Sequence, residues 1–201
     1  MTTVERDSHG RFTEDKARPK GLKNFGVIAG AAGAGMAMGV LAMIGRKVAV
    51  QAPTYLAGDW DEALAAEHKA VLKLFDALEA TVATDKGKRT MLLMQIKHAL
   101  AKHALQEESV IYPALREAGE KDAADELNKE HGYVKQYLYE LENMPNGSAD
   151  FLPTVARFRA DIEKHMREEE DDLFPKLKAG LSEARNKHLT MAMNKEGFKL
   201  A

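Results

Sequence analysis

Seven histidines and no cysteine bound the chemistry open to this chain of 201 residues. Without a thiol there is no disulfide, no thiolate metal site, no cluster held by sulfur and no sulfur nucleophile, so any metal must be held by nitrogen and oxygen. Four of the histidines, His68, His103, His131 and His165, each fall on a stripe of apolar residues recurring three or four apart. Two of those stripes carry a glutamate one turn later, Glu107 after His103 and Glu169 after His165. A histidine on an apolar stripe, taken singly, is more often a satisfied core residue than a ligand. A carboxylate there is harder to explain away, because burying it unpaired is costly and some positive charge must compensate it.

These residues recur as a set. EHKAVLKLFDALE at Glu67 to Glu79 aligns with EHGYVKQYLYELE at Glu130 to Glu142, and HALQEESVIYP at His103 to Pro113 aligns with HMREEEDDLFP at His165 to Pro175. The His, the Glu four residues on, the next Glu, the aromatic and the Pro hold matching places, which predicts two related helical hairpins. In antiparallel helices joined by a tight turn, residues equally far from the turn lie at one height. The midpoint of His68 and His103 falls by Asp85 to Gly87, that of His103 and His131 beside Ala118 and Gly119, and that of His131 and His165 at Ser148, after Pro145, Asn146 and Gly147. All three are turn signals. Four histidines and two glutamates are therefore expected at one level of an up-down-up-down four-helix bundle, where facing helices build metal sites.

The expected ligand set is His68, His103, Glu107, His131, His165 and Glu169. Shared as two imidazoles per ion with both carboxylates bridging, it gives each of two metals four ligands and leaves open positions. Imidazole with carboxylate suits iron, manganese or zinc. Glu108 and Glu170 also recur, but they point about 100° from their neighbours and are expected to support the ligands or face solvent. Glu168 competes with Glu169, three residues after His165, and the repeat favours Glu169. His98 lies off the stripe and His188 in the tail, and both, with His9, read as solvated. Tyr112 and Phe174 are expected to pack at the bundle end, and Tyr133, Tyr137 and Tyr139 to stack in or near the core. No HExxH motif, phosphate-binding glycine loop or dinucleotide fingerprint occurs.

The elements that must position these groups are helices, since the chain is rich in Ala, Leu, Glu, Lys and Met and has only six prolines. Helix A carries Leu64, His68, Val71, Phe75 and Leu78 behind a capping box of Asp59 and Glu62. Helix B carries Leu93, Ile96, Leu100, His103, Glu107, Val110 and Ala114 and meets Pro113, which should kink or end it. Helix C carries Leu127, His131, Val134, Leu138 and Leu141. Helix D, opening near Ser148, carries Val155, Phe158, Ile162, His165, Glu169 and Leu173 before Pro175. A short C-terminal helix follows Ser182.

Ahead of the bundle, residues 1–24 read as a polar disordered arm. The segment 25–50 is hydrophobic, and from Phe25 to Gly45 it runs without a charge, with Gly26 and Gly30, and Gly35 and Gly39, spaced for close helix contact in lipid. It reads as a self-associating membrane anchor with the N-terminus inside, against a secretory signal, a buried helix or a flexible apolar linker. A single-pass membrane-associated protein, or a homo-oligomer, follows if it spans, and a cytoplasmic one if it does not. Residues 56–180 form the expected metal-binding bundle and 181–201 a tail helix. Twenty-nine basic residues against thirty-one acidic ones leave a net charge of -2, with no positive field to hold nucleic acid.

The ordered set of His68, the HxxxE of His103 and Glu107, His131, and the HxxxE of His165 and Glu169, each HxxxE followed by a hydrophobic-aromatic-Pro turn, resembles the hemerythrin-like HHE cation-binding domains over roughly Leu56 to Gly180. The resemblance implies a non-haem di-iron centre in a four-helix bundle, with bridging carboxylates and reactivity toward dioxygen, peroxide or nitric oxide. Oxygen-carrying hemerythrins have a fifth histidine four residues after the third-helix ligand, and here that position is Lys135. This implies a more open centre suited to sensing, protective chemistry, turnover of peroxide or nitric oxide, or iron handling rather than oxygen transport.

Overall fold

The structure is a computed structural model that describes residues 45–47, 50–52 and 54–201. The expected polar arm and all but the last residue of the apolar run 25–45 lie outside the described residues. Among the described residues no helix is long and apolar enough to cross a membrane.

All regular structure among the described residues is helical. Helix α1 (Trp60–Glu79) starts at a capping box in which the Asp59 N–H donates to Glu62 Oε2 at 3.1 Å. Its expected stripe of Leu64, His68, Val71, Phe75 and Leu78 is buried throughout. Helix α2 (Lys86–Gln106) runs into a π-turn (Glu107–Ile111) and then α3 (Tyr112–Glu117). Ala118, Gly119 and Glu120 reverse the chain: Glu120 N–H donates to Leu115 O at 3.0 Å and Gly119 N–H to Arg116 O at 3.2 Å, a closure that needs the φ of +97° found at Gly119. Helix α4 (Lys121–Asn143) returns, and α5 (Phe151–Glu168), a second π-turn (Glu169–Leu173) and α6 (Phe174–Gly180) complete four antiparallel passes. The last two turns fall where the histidine midpoints put them, while the first occupies residues 80–85, just ahead of its midpoint.

Pro113 does not end its helix, and neither does Pro175. A proline lacks the N–H of a regular turn, and its ring crowds the carbonyl four residues back. In both repeats the preceding turn widens instead, so that Tyr112 N–H reaches Glu107 O and Phe174 N–H reaches Glu169 O, and the helix continues with the proline in its new first turn. One additional residue per turn rotates everything downstream by about 100°. Val110 thereby yields the inward place predicted for it to Ile111, which is fully buried together with Tyr112.

Helix α7 (Glu183–Leu200) is longer than the short tail helix expected. Ser182 caps it by accepting from Arg185 N–H, and it packs on the bundle through Leu189 and Met193. Trp60 Nε1 donates to its buried Asn186 Oδ1 at 2.9 Å. Each such apolar side chain, fully buried, contributes about 1.5–3 kcal/mol.

The apolar core falls into two clusters. One, around Leu64, Ile111, Leu115, Leu127, Leu173 and Phe174, lies beside the π-turns; the other, around Phe75, Ile96, Leu138, Phe158 and Ile162, fills the opposite half of the bundle. The four histidines of the stripes sit between them. At the far end Arg89, 2% exposed, ties two turns together by donating to Thr81 Oγ1 and to the backbone carbonyl of Asn146.

Candidate metal centre

Each passage of the bundle delivers one histidine to the waist: His68 from α1, His103 from the end of α2, His131 from α4 and His165 from α5. The two π-turns begin at Glu107 and Glu169, so these carboxylates enter at the same level. All six side chains are buried, Glu107 and Glu169 completely.

The inward nitrogens and the carboxylate oxygens converge. Atoms of His68, His103, Glu107 and Glu169 lie within 4.8 Å of one another, and so do atoms of Glu107, His131 and His165. His68 Nε2 is 2.9 Å from His103 Nε2. Glu107 stands between the two halves, with Oε1 3.0 Å from His103 Nε2 and Oε2 3.4 Å from His131 Nε2. Glu169 Oε2 is 3.5 Å from both His68 Nε2 and His165 Nε2. The structure thus brings together all six residues singled out in the sequence.

Three atoms facing this space, Glu107 Oε1, Glu169 Oε2 and His165 Nε2, make no hydrogen bond of acceptable geometry. Buried polar atoms are nearly always satisfied, and orphans concentrated on one point mark a missing partner that accepts lone pairs. A cation bound by nitrogen and oxygen is such a partner, so the residues fit a metal.

The outward face of every ring is held by a second carboxylate. His68 Nδ1 donates to Glu170 at 2.7 Å, His103 Nδ1 to Glu67 at 3.2 Å, His131 Nδ1 to Glu108 at 3.0 Å and His165 Nδ1 to Glu130 at 2.8 Å. The Nδ1 proton is thereby fixed and the Nε2 lone pair is left facing inward, the arrangement that orients metal-bound imidazoles. Glu108 and Glu170 exchange across the repeats, while Glu67 and Glu130 serve within their own. The sequence reading left Glu67 and Glu130 unassigned; their signal was the Glu-His dipeptide that opens both repeated segments.

Tyr112 corrects another expectation. It does not merely pack at the bundle end: its hydroxyl donates to Glu169 Oε1 at 2.8 Å and lies 3.3 Å from Glu107 Oε2 and 3.1 Å from His131 Nε2. Its repeat counterpart, Phe174, meets Trp60 edge-on. Tyr137 stacks on Phe158 as expected, whereas Tyr133 and Tyr139 are exposed. His188 is exposed, but His98 is half-buried with an unpartnered Nε2, contrary to the solvated reading. Glu168 stays outside the cluster.

The electrostatics show what the acidic groups do without a cation. Burial raises Glu169 to about 8, and the charge of Glu107 adds to it. Burial opposes ionisation of Glu107 too, but the charge of His103 holds it well below the usual carboxylate range. Burial likewise disfavours a charged His103, yet the charge of Glu107 and the hydrogen bond with Glu67 raise it well above an ordinary histidine. His68 is lowered, by burial and by the neighbouring His103.

The comparisons with known proteins agree with this geometry. The family description "Hemerythrin HHE cation binding domain" matches residues 61–177. An uncharacterized hemerythrin-like protein of Schizosaccharomyces pombe is 32% identical over 117 residues, covering 56% of this chain and 57% of that protein. A DNA nickase of Nostoc is 28% identical over 116 residues, covering 58% of this chain and 32% of that protein. The matched region thus spans less than two thirds of either relative. No solved structure gives a significant match.

Proposed function

The chain belongs to the hemerythrin HHE cation-binding domain family, and from that membership we propose that it is a non-haem di-iron protein. It binds dioxygen, nitric oxide or peroxide at a carboxylate-bridged centre, in sensing or stress protection. The observation that carries this reading is the set of three orphaned atoms, Glu107 Oε1, Glu169 Oε2 and His165 Nε2, aimed into one buried space. His68 and His103 would hold one ion, His131 and His165 the other, and Glu107 and Glu169 would span both.

When bound, iron supplies electrons and open coordination positions for a small ligand. The chain's own residues do the rest. Glu170, Glu67, Glu108 and Glu130 lock the rings. The Tyr112 O–H donates to Glu169 Oε1 and fixes that carboxylate, while burial and the charges of Glu107 and Glu169 keep the phenol protonated. The two apolar clusters keep bulk water away from the waist. Lys135, where oxygen carriers have a further histidine, is exposed, with Nζ 3.6 Å from Glu108, and this favours a less saturated, more reactive centre.

Aerobic purification followed by metal analysis and ultraviolet-visible spectroscopy tests the reading. The expectation is about two irons per chain with ligand-to-metal charge-transfer bands. His103→Ala lowers the content to about one iron per chain and abolishes the bands of the paired centre, and His188→Ala, in an exposed residue of α7, keeps both irons and bands. Full metal content in the two variants alike overturns it.

A further inference from the structure

The repeat that builds the centre is unequal behind the rings. A lysine precedes the second histidine of each repeat and reaches the carboxylate that bonds it: Lys102 Nζ is 2.8 Å from Glu67 Oε1, and Lys164 Nζ is 3.5 Å from Glu130 Oε1. The side chain of Lys102 is 7% exposed and that of Lys164 is 70% exposed. Around the buried lysine a closed polar cluster forms. Lys102 also donates to Thr54 Oγ1 at 2.9 Å and to Gln51 Oε1 at 3.1 Å, and Thr54 Oγ1 donates to Glu67 Oε1 at 2.7 Å. The buried Gln106 amide, oriented to satisfy its neighbours, donates to Glu67 Oε2 at 2.9 Å. Helix α7 closes the cluster: Gln51 Nε2 donates to Asn194 Oδ1, and at Gly197 a side chain would meet Gln106 and Gln51 within 2.7 and 2.8 Å.

Among the described residues nothing comparable backs the other pair. The residue matching Gln106 is Glu168, which is only half-buried. A cavity of about 280 Å³ is lined by Glu130 and His165, and an apolar one of about 150 Å³ reaches His131 and His165 as well as His103. On the Lys102 side a cavity of about 220 Å³ stops at Glu67 and Lys102 and touches none of the four ring ligands. His68 is also the least exposed of the four rings and His165 the most, at 2% and 8% of the side chain.

We propose that the two ion positions exchange unequally. The ion of His131 and His165 enters and leaves, the ion of His68 and His103 is retained, and Lys102 is the positioning residue that anchors Glu67 and through it His103. Releasing an ion requires a ring to swing off it. His103 can do so only by parting from a carboxylate fastened by Lys102, Thr54 and Gln106, whereas His165 parts from a Glu130 whose one lysine, Lys164, is exposed. The inference rests on the two-ion reading above.

The full chain, loaded with two equivalents of manganese(II), is challenged with excess chelator and release is followed by electron paramagnetic resonance. Two phases of equal amplitude are expected, differing at least about tenfold in rate. His131→Ala should keep a slow ion and His68→Ala a fast one. Lys102→Met should speed the slow phase about tenfold while leaving the fast phase unchanged, and Lys102→Arg should restore it. A general loosening of the fold would move both phases. Release of both ions in one phase, a fast ion in His131→Ala, or equal acceleration of both phases by Lys102→Met overturns the proposal. A wild-type chain that takes up fewer than two ions overturns the two-ion reading itself, and does so at the loading step before chelator is added.

Discussion

Every ring in the waist is fixed twice, by a carboxylate outside and by the cluster inside, and the inner carboxylates are the groups whose protonation should report metal. Glu169 is raised from 4.5 to about 8 in the metal-free chain. A group raised in this way favours folding while it is neutral, so its contribution is complete below pH 4.5 and is lost as the pH climbs through 8. A cation reverses the preference and expels the proton. Metal loading in weak buffer should therefore release about one more proton per chain at pH 7 than at pH 9, read with an indicator dye. Equal release at both values would show that Glu169 is already ionised. The six inner residues were legible because HxxxE and a lone histidine per stripe are patterns within one helix. The outer four were only half legible: the repeat marked Glu108 and Glu170, but whether they meet a ring depends on a neighbouring helix.

At the scale of the elements, the π-turns decide what enters the site. A period of 3.6 residues extrapolated past Glu107 puts Val110 inward and Tyr112 off the stripe, and the widened turn reverses both. Composition carries no signal for a π-turn beyond a proline six residues on, which signals a kink or a stop equally well, so this was not readable in advance. Helix α7 was foreseen as a short tail, since its part in burying Gln106 and Asn186 depends on packing against distant residues. Gly197→Val should test that contact. The new side chain would push the Gln106 and Gln51 amides off their hydrogen-bond partners, and the chain should lose about 1–3 kcal/mol of stability in urea denaturation while far-ultraviolet circular dichroism stays helical. Unchanged stability would mean that α7 does not pack so closely.

Among the described residues, the buried carboxylates and imidazoles gather at a waist between two apolar clusters, and a separate clasp holds the far end. Arg89 is buried there, donates to Thr81 and Asn146, and lies over the Phe151 ring at 5.0 Å. Arg89→Met leaves those acceptors unpaired and should destabilise the chain by about 3 kcal/mol, read in denaturant. Because the clasp is separated from the waist by the Phe75–Phe158 cluster, metal content should not change. A parallel loss of metal would show that the two ends are mechanically coupled.

By itself the sequence determined the all-helical architecture, the hairpin turns and the level at which six nitrogen- and oxygen-bearing side chains meet, because helix period and turn chemistry are local and rise per residue converts spacing into height. Only the tertiary structure decided which carboxylate braces which ring, that the Tyr112 hydroxyl faces the centre while Phe174 packs on Trp60, and that one lysine of a repeated pair is buried. Those outcomes depend on how each helix is rotated about its axis and on what covers it, and both are set by contacts between residues far apart in the chain.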